Sequence, residues 1–356
     1  MATDIPMEPP EPLVTSQQLG ALRSALGNGD RPVLLAIHDY PDPDALASAL
    51  AFQVLAGSWG VPTTIAHGGR IGRPENRAMV EFLKINLTLL EDIGDFSEFR
   101  GAMILDTQPG AKNQSLPPEA RVLAVVDHHK SGPDSARFRL DPSTGQPFYS
   151  DVRLDIGSSS TLAMGYLEAA GLVPDSRLAT ALFLGIKTDT AGLMRDARLP
   201  DVIAYTRLLP LADLPMAAEI AAPPLGREHF RFLADAMGHV VIHGNTLVAD
   251  CGQISAPDMI SLVSDEFINA QDIAYALAFG GHEGKLYLSL RVKPPRDDAT
   301  RVLLATIGRE GRGGGHNLSA GGFMIPGSDR PGCVSRMLER FLAATGAKGT
   351  PPTPLL

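Results

Sequence analysis

The sequence predicts an α/β protein: a mostly parallel, doubly wound sheet followed by a smaller α+β domain. Three observations carry this. Short apolar runs alternate with helical patterns over roughly the first 200 residues, the signature of βαβ units. Several of those runs stop at a carboxylate or an imidazole. Beyond a proline-interrupted stretch the pattern changes to hairpin signals. At 356 residues the chain is too long for one ordinary core and suits two domains.

Met1 to Leu13 is rich in Pro and Glu, has no basic region and no apolar signal core, and reads as a disordered lead. Pro32 to Ile37 is the first strand. Asp44 to Ala56 is Ala/Leu-rich and helical, opened by carboxylates that suit a helix N-terminus. Pro62 to Ala66 reads as a strand and Glu75 to Lys84 as a helix. Ala102 to Leu105 and Val122 to Val126 are short buried strands, and Ser160 to Ala170 and Arg177 to Lys187 are helices. These fill a first domain over 14–198. Residues 199–230, interrupted by Pro210, Pro215, Pro223 and Pro224, read as a helical connector.

The second domain, 231–346, begins with His239 to His243 and Thr246 to Asp250 around the two-residue turn Gly244-Asn245. Asp272 to Phe279 and Lys285 to Val292 flank Gly280 to Gly284 as another hairpin. Helices follow at Asp298 to Ile307 and Pro331 to Ala344, and 347–356 reads as a flexible tail. The expected active site lies in the cleft between the two domains.

A hydrophobic content of 44% and a charged content of 20% describe a soluble globular chain, and no apolar stretch approaches the ~20 residues that span a bilayer. Cys251 and Cys333 allow at most one bridge and lie in no metal-binding spacing, so a reducing cytoplasm is the expected compartment. The net charge of −9 argues against a broad grip on duplex DNA. A short phosphate-bearing ligand held by metals and a few arginines remains compatible with it. There is no internal repeat.

The chemistry concentrates at the strand ends. With 9 His in the chain, chance supplies roughly 0.2 adjacent His pairs, yet His128-His129 follows Asp127 at the end of a buried run. After Val33 to Ile37 come His38, Asp42 and Asp44; after Ala102 to Leu105 comes Asp106; Asp189 closes a helical stretch. In a parallel sheet these ends share one edge, where ligands gather. Taken singly, each is a turn residue or a helix cap. Together, four Asp carboxylates would repel one another unless cations lay between them. Imidazole with carboxylate suits manganese, iron, cobalt or zinc. His38, Asp42, Asp44, Asp106, His128 and Asp189 supply ligands for two divalent ions if one carboxylate bridges, with four charges of each sign.

The series His38-x-x-Pro-Asp42-x-Asp44, Asp106, Asp127-His128-His129 and Gly185-Ile-Lys-Thr-Asp189-Thr190 resembles the DHH phosphoesterase superfamily. Gly311-Arg-Gly-Gly-Gly-His316-Asn-Leu-Ser-Ala-Gly-Gly322 is similar to the Gly-Gly-Gly-His signature of the first type of DHH-associated domain. The similar subgroup is that of oligoribonucleases (nanoRNases) and pAp-phosphatases, also called exopolyphosphatase-related. The resemblance implies a first metal on His38, Asp42 and Asp106 and a second on Asp44, Asp106, His128 and Asp189, manganese ahead of magnesium or cobalt. It implies His129 at the substrate phosphate, with Asp127 orienting an imidazole; His129, Asp106 and Asp127 form the catalytic set. Tyr40 departs from the family's usual Asn, and Pro43 from its frequent Gly.

In the second domain, Gly313, Gly314, Gly315 and His316 are expected in a loop whose backbone amides cradle a phosphate. Arg291 matches the arginine with which the related enzymes grip phosphate, a task that suits a forked guanidinium. Arg70, Arg73 and Arg77 cluster in a loop leading into a helix; they read as an ordinary solvated face ahead of the alternative, phosphate contacts. His67, His229, His239, His243 and His282 have no partners at ligand spacing and read as structural or surface residues. The substrate expected is a short single-stranded oligonucleotide (nanoRNA or a linear dinucleotide) or a small nucleotide such as pAp, with no membrane partner; the resemblance also allows a homodimer. Alternatives are hydrolysis of pyrophosphate or polyphosphate, a RecJ-type single-strand exonuclease, and a non-catalytic nucleotide sensor.

Overall fold

The computed structural model describes residues 11–111, 113–129, 138, 140–143, 145, 147–294, 298–315 and 318–355. The chain divides into two compact units: residues up to Gly69 with Ala78–Ala222, and Arg70–Arg77 with Pro223–Leu356.

The first unit contains α1 (Ser16–Leu26), β1 (Val33–Ile37), α2 (Pro43–Ser58), β2 (Thr63–His67), α3 (Pro74–Phe82), β3 (Leu87–Leu89), β4 (Gly101–Leu105), β5 (Val122–Asp127), β6 (Tyr149–Val152), α4 (Ser159–Ala169), α5 (Ser176–Asp189), α6 (Leu199–Leu208) and α7 (Leu214–Ala221). The first turn of α3 groups with the second unit. The strands form one parallel sheet in the order β3-β2-β1-β4-β5-β6. From β1 the chain runs outward through β2 and β3, then crosses back to start β4 on the other side of β1. The strand order therefore reverses between β1 and β4, which makes that gap the switch point where ligands bind in open α/β sheets.

β1, β4 and β5 are buried on both faces, as continuous apolar runs require. Val33, Leu35, Ile37, Met103, Leu105 and Val126 point into a core with helices α1, α2, α4 and α5. Helix α2 is buried nearly all round from Pro43 to Phe52, because its Ala-rich surface lets α4 and α5 approach closely. Leu34, Ala36, Ile104 and Val125 face the other way, where Leu90, Leu116, Ala120 and Phe138, from connecting segments, close the sheet. Right-handed crossovers place the connections of β1–β2–β3 and of β4–β5–β6 on opposite faces.

The expected connector differs. Ala204 and Leu208 of α6 and Ala217 and Ile220 of α7 are buried in the first unit's core. Their prolines sit at Pro200 and Pro215, in the first turns of the helices, where a missing amide hydrogen costs nothing. At the N-terminus, the disordered lead falls on residues 1–10, outside the described residues, except for residues 11–13. Leu13 accepts a hydrogen bond from Arg153 at its carbonyl, and Val14 is buried.

The second unit holds α8 (Arg227–Gly238), β7 (Val240–His243), β8 (Thr246–Gln253), α9 (Met259–Phe267), β9 (Tyr275–His282), β10 (Lys285–Val292), α10 (Ala299–Ile307), β11 (Gly311–Gly315), β12 (Ser319–Met324), α11 (Arg330–Ala344) and β13 (Thr353–Pro354). Its sheet runs β11-β12-β10-β9-β8-β7-β13 and is antiparallel except for β8 and β9. The β9–β10 turn falls at Glu283-Gly284, both at positive φ, which is the conformation a tight hairpin needs. The expected flexible tail is pinned: β13 pairs with β7, and Leu355 packs against the Ala249–Phe267 core. No helix among the described residues is long and apolar enough to cross a membrane.

The glycine-rich segment is the main correction in this unit. Gly313, Gly314 and Gly315 lie in the edge strand β11, paired with Gly322, Gly321 and Ala320, and do not form a loop. A β-carbon at Gly322 would fall 2.7 Å from Ile307 Cδ1 and 2.8 Å from Gly313 Cα; one at Gly313 would fall 2.9 Å from Leu303 Cδ2. These glycines let α10 lie flush on the sheet. At Gly314 there is nothing within 4 Å. Gly322→Val should therefore destabilise the second unit by about 1–3 kcal/mol through overpacking, whereas Gly314→Ala should leave stability within about 0.5 kcal/mol. Urea unfolding of both variants checks the contrast. His316 lies outside the described residues.

Candidate metal centre

Three neighbouring strands, β1, β4 and β5, deliver their carboxyl ends to one place. Adjacent strands lie roughly 4.8 Å apart, so Asp106, at the end of the middle strand, has His38 on one side and His128 on the other. Asp106 takes a left-handed backbone, φ 56°, which turns its side chain across the strand ends. Its Oδ2 lies 3.5 Å from His38 Nε2 and its Oδ1 3.4 Å from His128 Nε2.

Helix ends complete the cluster. Asp42 caps α2, its Oδ1 accepting from the amides of Asp44 and Ala45, and stands 3.7 Å from His38 Nε2. Asp44, fully buried, accepts from the amides of Ser159 and Ser160 at 2.6 and 2.8 Å. Those amides open α4, so the positive end of its dipole faces the carboxylate. Ser159 Oγ also donates to Asp106 Oδ1 at 2.9 Å. Asp189 is the last residue of α5, with Oδ2 3.0 Å from His128 Nε2. A carboxylate at the negative end of a helix dipole is disfavoured unless a cation compensates it.

His38, Asp42 and Asp106 thus form one potential ligand set and Asp44, His128 and Asp189 another, with Asp106 facing both histidines. Asp106, His128 and His129 form a third grouping of donors. The electrostatics point the same way. Burial works against charge on His38, but hydrogen bonds and charge from Asp106 and Asp42 outweigh it and raise its pKa well above the usual value. Burial likewise opposes charge on His128, and Asp106 and Asp189 overcome it. Burial pushes Asp44 well up, helped by the charges of Asp106 and Asp189. Asp106 is held well below the carboxylate range: burial raises it, but hydrogen bonds from His128 and His38 prevail. In this cluster the protons do what cations would do better.

The donor set fits two divalent ions. Four carboxylates and two neutral imidazoles balance two such ions, and the mix of oxygen and imidazole nitrogen suits manganese. Metal binding requires neutral imidazoles. Because both histidines hold protons above their usual pKa, loading should release protons, and apparent affinity should fall as pH falls. Calorimetry in buffers of different ionisation enthalpy, repeated at two pH values, reads both effects; proton uptake on loading would contradict the ligand assignment.

Asp127 stands outside these ligand sets. Fully buried, its Oδ1 accepts from the amides of His128 and His129, at 2.8 and 3.2 Å, and lies 2.8 Å from His129 Nδ1. Gln108 Nε2 donates to its Oδ2 and to the His129 carbonyl, both at 2.9 Å. The carboxylate fixes the turn that separates the two imidazoles. His129 is half-buried, with Nδ1 at the Asp127 carboxylate. Burial and the charge of His128 lower the His129 pKa, yet Asp127 and Asp106 carry it above the usual value.

Sequence reasoning missed the supporting residues: Gln108, and the Ser158-Ser159-Ser160 run whose amides and hydroxyl hold Asp44 and Asp106. The serine run before an apolar helix was a legible N-cap signal; nothing in sequence tied it to Asp44. In the second unit, Arg291 Nε donates to Asp265 Oδ1 at 2.6 Å, and Arg73 Nη1 reaches Asp265 Oδ2 at 3.2 Å. Arg73 also pairs with Glu75, and Asp258 Oδ2 accepts from the amides of Gly72 and Arg73. Arg73 is therefore not the solvated residue expected, since its charge is spent on carboxylates. Arg77 donates to the Gly72 carbonyl.

No family model matches the chain. It is 33% identical over 291 residues to an uncharacterized protein of Methanocaldococcus jannaschii, covering 81% of this chain and 57% of that one. It is 26% identical over 193 residues to a probable manganese-dependent inorganic pyrophosphatase of Streptococcus agalactiae, covering 53% and 54%. The chain thus spans little more than half the length of either relative. Its fold is that of an exopolyphosphatase-related protein from Bacteroides fragilis, with a TM-score of 0.71 at 14% identity, covering 94% of this chain and 99% of that one. These likenesses support the resemblance to the DHH superfamily read from the strand-end motifs.

Proposed function

We propose that the protein is a two-metal phosphoesterase that hydrolyses short oligonucleotides or small nucleotides. The observation that carries this reading is Asp106, a single buried carboxylate facing His38 and His128 at 3.5 and 3.4 Å, with Asp42, Asp44 and Asp189 completing a ligand set on either side. Two bound cations, manganese foremost, supply an acidified water and positive charge against the phosphoryl oxygens.

The chain's own groups do the rest. Asp44 is held by two α4 amides, so it keeps its place without rotamer search. His129, partly exposed and oriented by Asp127, holds a proton at Nε2 for the leaving oxygen. Arg291, steadied by Asp265, is the second unit's phosphate grip, with Gly313 to Gly315 and His316 its further substrate contacts.

A second reading, pyrophosphate hydrolysis, is favoured by the pyrophosphatase relative. A manganese assay on di- to pentanucleotides, pAp, linear dinucleotides and pyrophosphate separates the two. Turnover of the nucleotides in preference to pyrophosphate is expected; pyrophosphate alone being hydrolysed would reverse the choice, and no turnover of any would leave a binding module.

A further inference from the structure

Tyr40 stands in the turn between His38 and Asp42 with a left-handed backbone, φ 56°. A bulky aromatic residue is an unusual choice there; Asn and Gly adopt this conformation far more readily. Such strain persists only where neighbouring structure enforces it, and it clusters at functional sites. Here the enforcement is visible. The Tyr40 amide donates to the Gly68 carbonyl at 3.0 Å. Its ring lies against Gly69, where a β-carbon would fall 2.6 Å from Cζ and 2.7 Å from Cδ1. Gly69 is itself left-handed, φ 65°. The loops after β1 and β2 are therefore both shaped around one ring.

The turn alone does not explain an aromatic side chain, since Asn would make it with less strain. The ring is only half buried, so part of it stays accessible, and its backbone is two residues from each of two candidate ligands. We propose that Tyr40 determines specificity: its ring is a stacking face for a nucleobase of the substrate, beside the site where phosphorus is attacked. This rests on the nucleotide reading above and deepens it. Stacking tolerates any base, which suits an enzyme for short oligonucleotides of mixed sequence, and one base–aromatic stack changes affinity by roughly 5- to 150-fold.

The test compares a dinucleotide with pyrophosphate, which has no base. For the unaltered protein, Tyr40→Asn and Tyr40→Phe, kcat/KM is measured in manganese and Kd by calorimetry in calcium. Tyr40→Asn is expected to lower the dinucleotide-to-pyrophosphate ratio about tenfold, chiefly through KM; Tyr40→Phe should keep the ratio, and Tyr40→Asn should melt no earlier than the parent. A ratio unmoved in Tyr40→Asn overturns the proposal. So does an equal loss on both ligands, which would mean that the ring only shapes the metal loop. Should the unaltered protein bind the dinucleotide yet turn over nothing, the phosphoesterase reading fails while the Kd ratio still decides on Tyr40. Absence of dinucleotide binding would overturn both.

Discussion

Asp106→Ala is expected to reduce manganese-dependent phosphoester hydrolysis by roughly 10³-fold or more, the scale of several kcal/mol of lost charge stabilisation. Among the described residues, Asp106 is the side chain whose two oxygens face His38 and His128, the proposed ligand histidines. Removing it takes a ligand from each set and leaves His38 and His128 without the carboxylate that lies between them. Asp106→Asn keeps the volume but removes the charge, and should be nearly as damaging. Steady-state kinetics on a dinucleotide, with circular dichroism to confirm folding, read the effect. Full activity in either variant would rule out a bridging role.

Asp127→Ala is expected to lower activity by about 10- to 100-fold while metal binding survives in weakened form, the usual penalty for losing a group that orients ligands. The change strips the acceptor from two buried backbone amides and from His129 Nδ1, and leaves Gln108 Nε2 only the His129 carbonyl. Buried donors left unpaired cost about 1–3 kcal/mol, so a lowered Tm should accompany the kinetic loss. The pH profile separates this role from simple structural damage. Without the Asp127 carboxylate, the His129 imidazole loses a group that supports its charged form, and the alkaline limb, which a proton donor controls, should move to lower pH. An unmoved profile would place the proton elsewhere.

The sequence was most informative where one residue type repeats in one topological position. His38, Asp106 and Asp127-His128-His129 each follow a short buried run, and parallel pairing in the order β1-β4-β5 brings those ends together. Local pattern was enough for this, because a two-face-buried strand can end only at the sheet edge. It was not enough for Asp265 or Gln108. Asp265 meets Arg73 across a sequence gap of 192 residues, and Gln108 reaches Asp127 from the loop after a neighbouring strand; neither separation leaves a periodic trace. The glycine segment misled for a related reason. Gly311 to Gly322 looked loop-like because glycine is a poor strand former, but the residues facing α10 must be small for Leu303 and Ile307 to pack. Tertiary packing overrode local propensity there. Pro210, Pro215, Pro223 and Pro224 suggest a connector over 199–230, yet Pro215, like Pro200, lies in the first turn of a helix.

Manganese titration followed by low-temperature electron paramagnetic resonance reads whether Asp106 alone organises two cation sites. Two manganese ions bound per chain with an exchange-coupled signal are expected, and no coupled signal from Asp106→Ala. A single uncoupled ion in the unaltered protein, or an unchanged coupled pair in Asp106→Ala, would contradict that role.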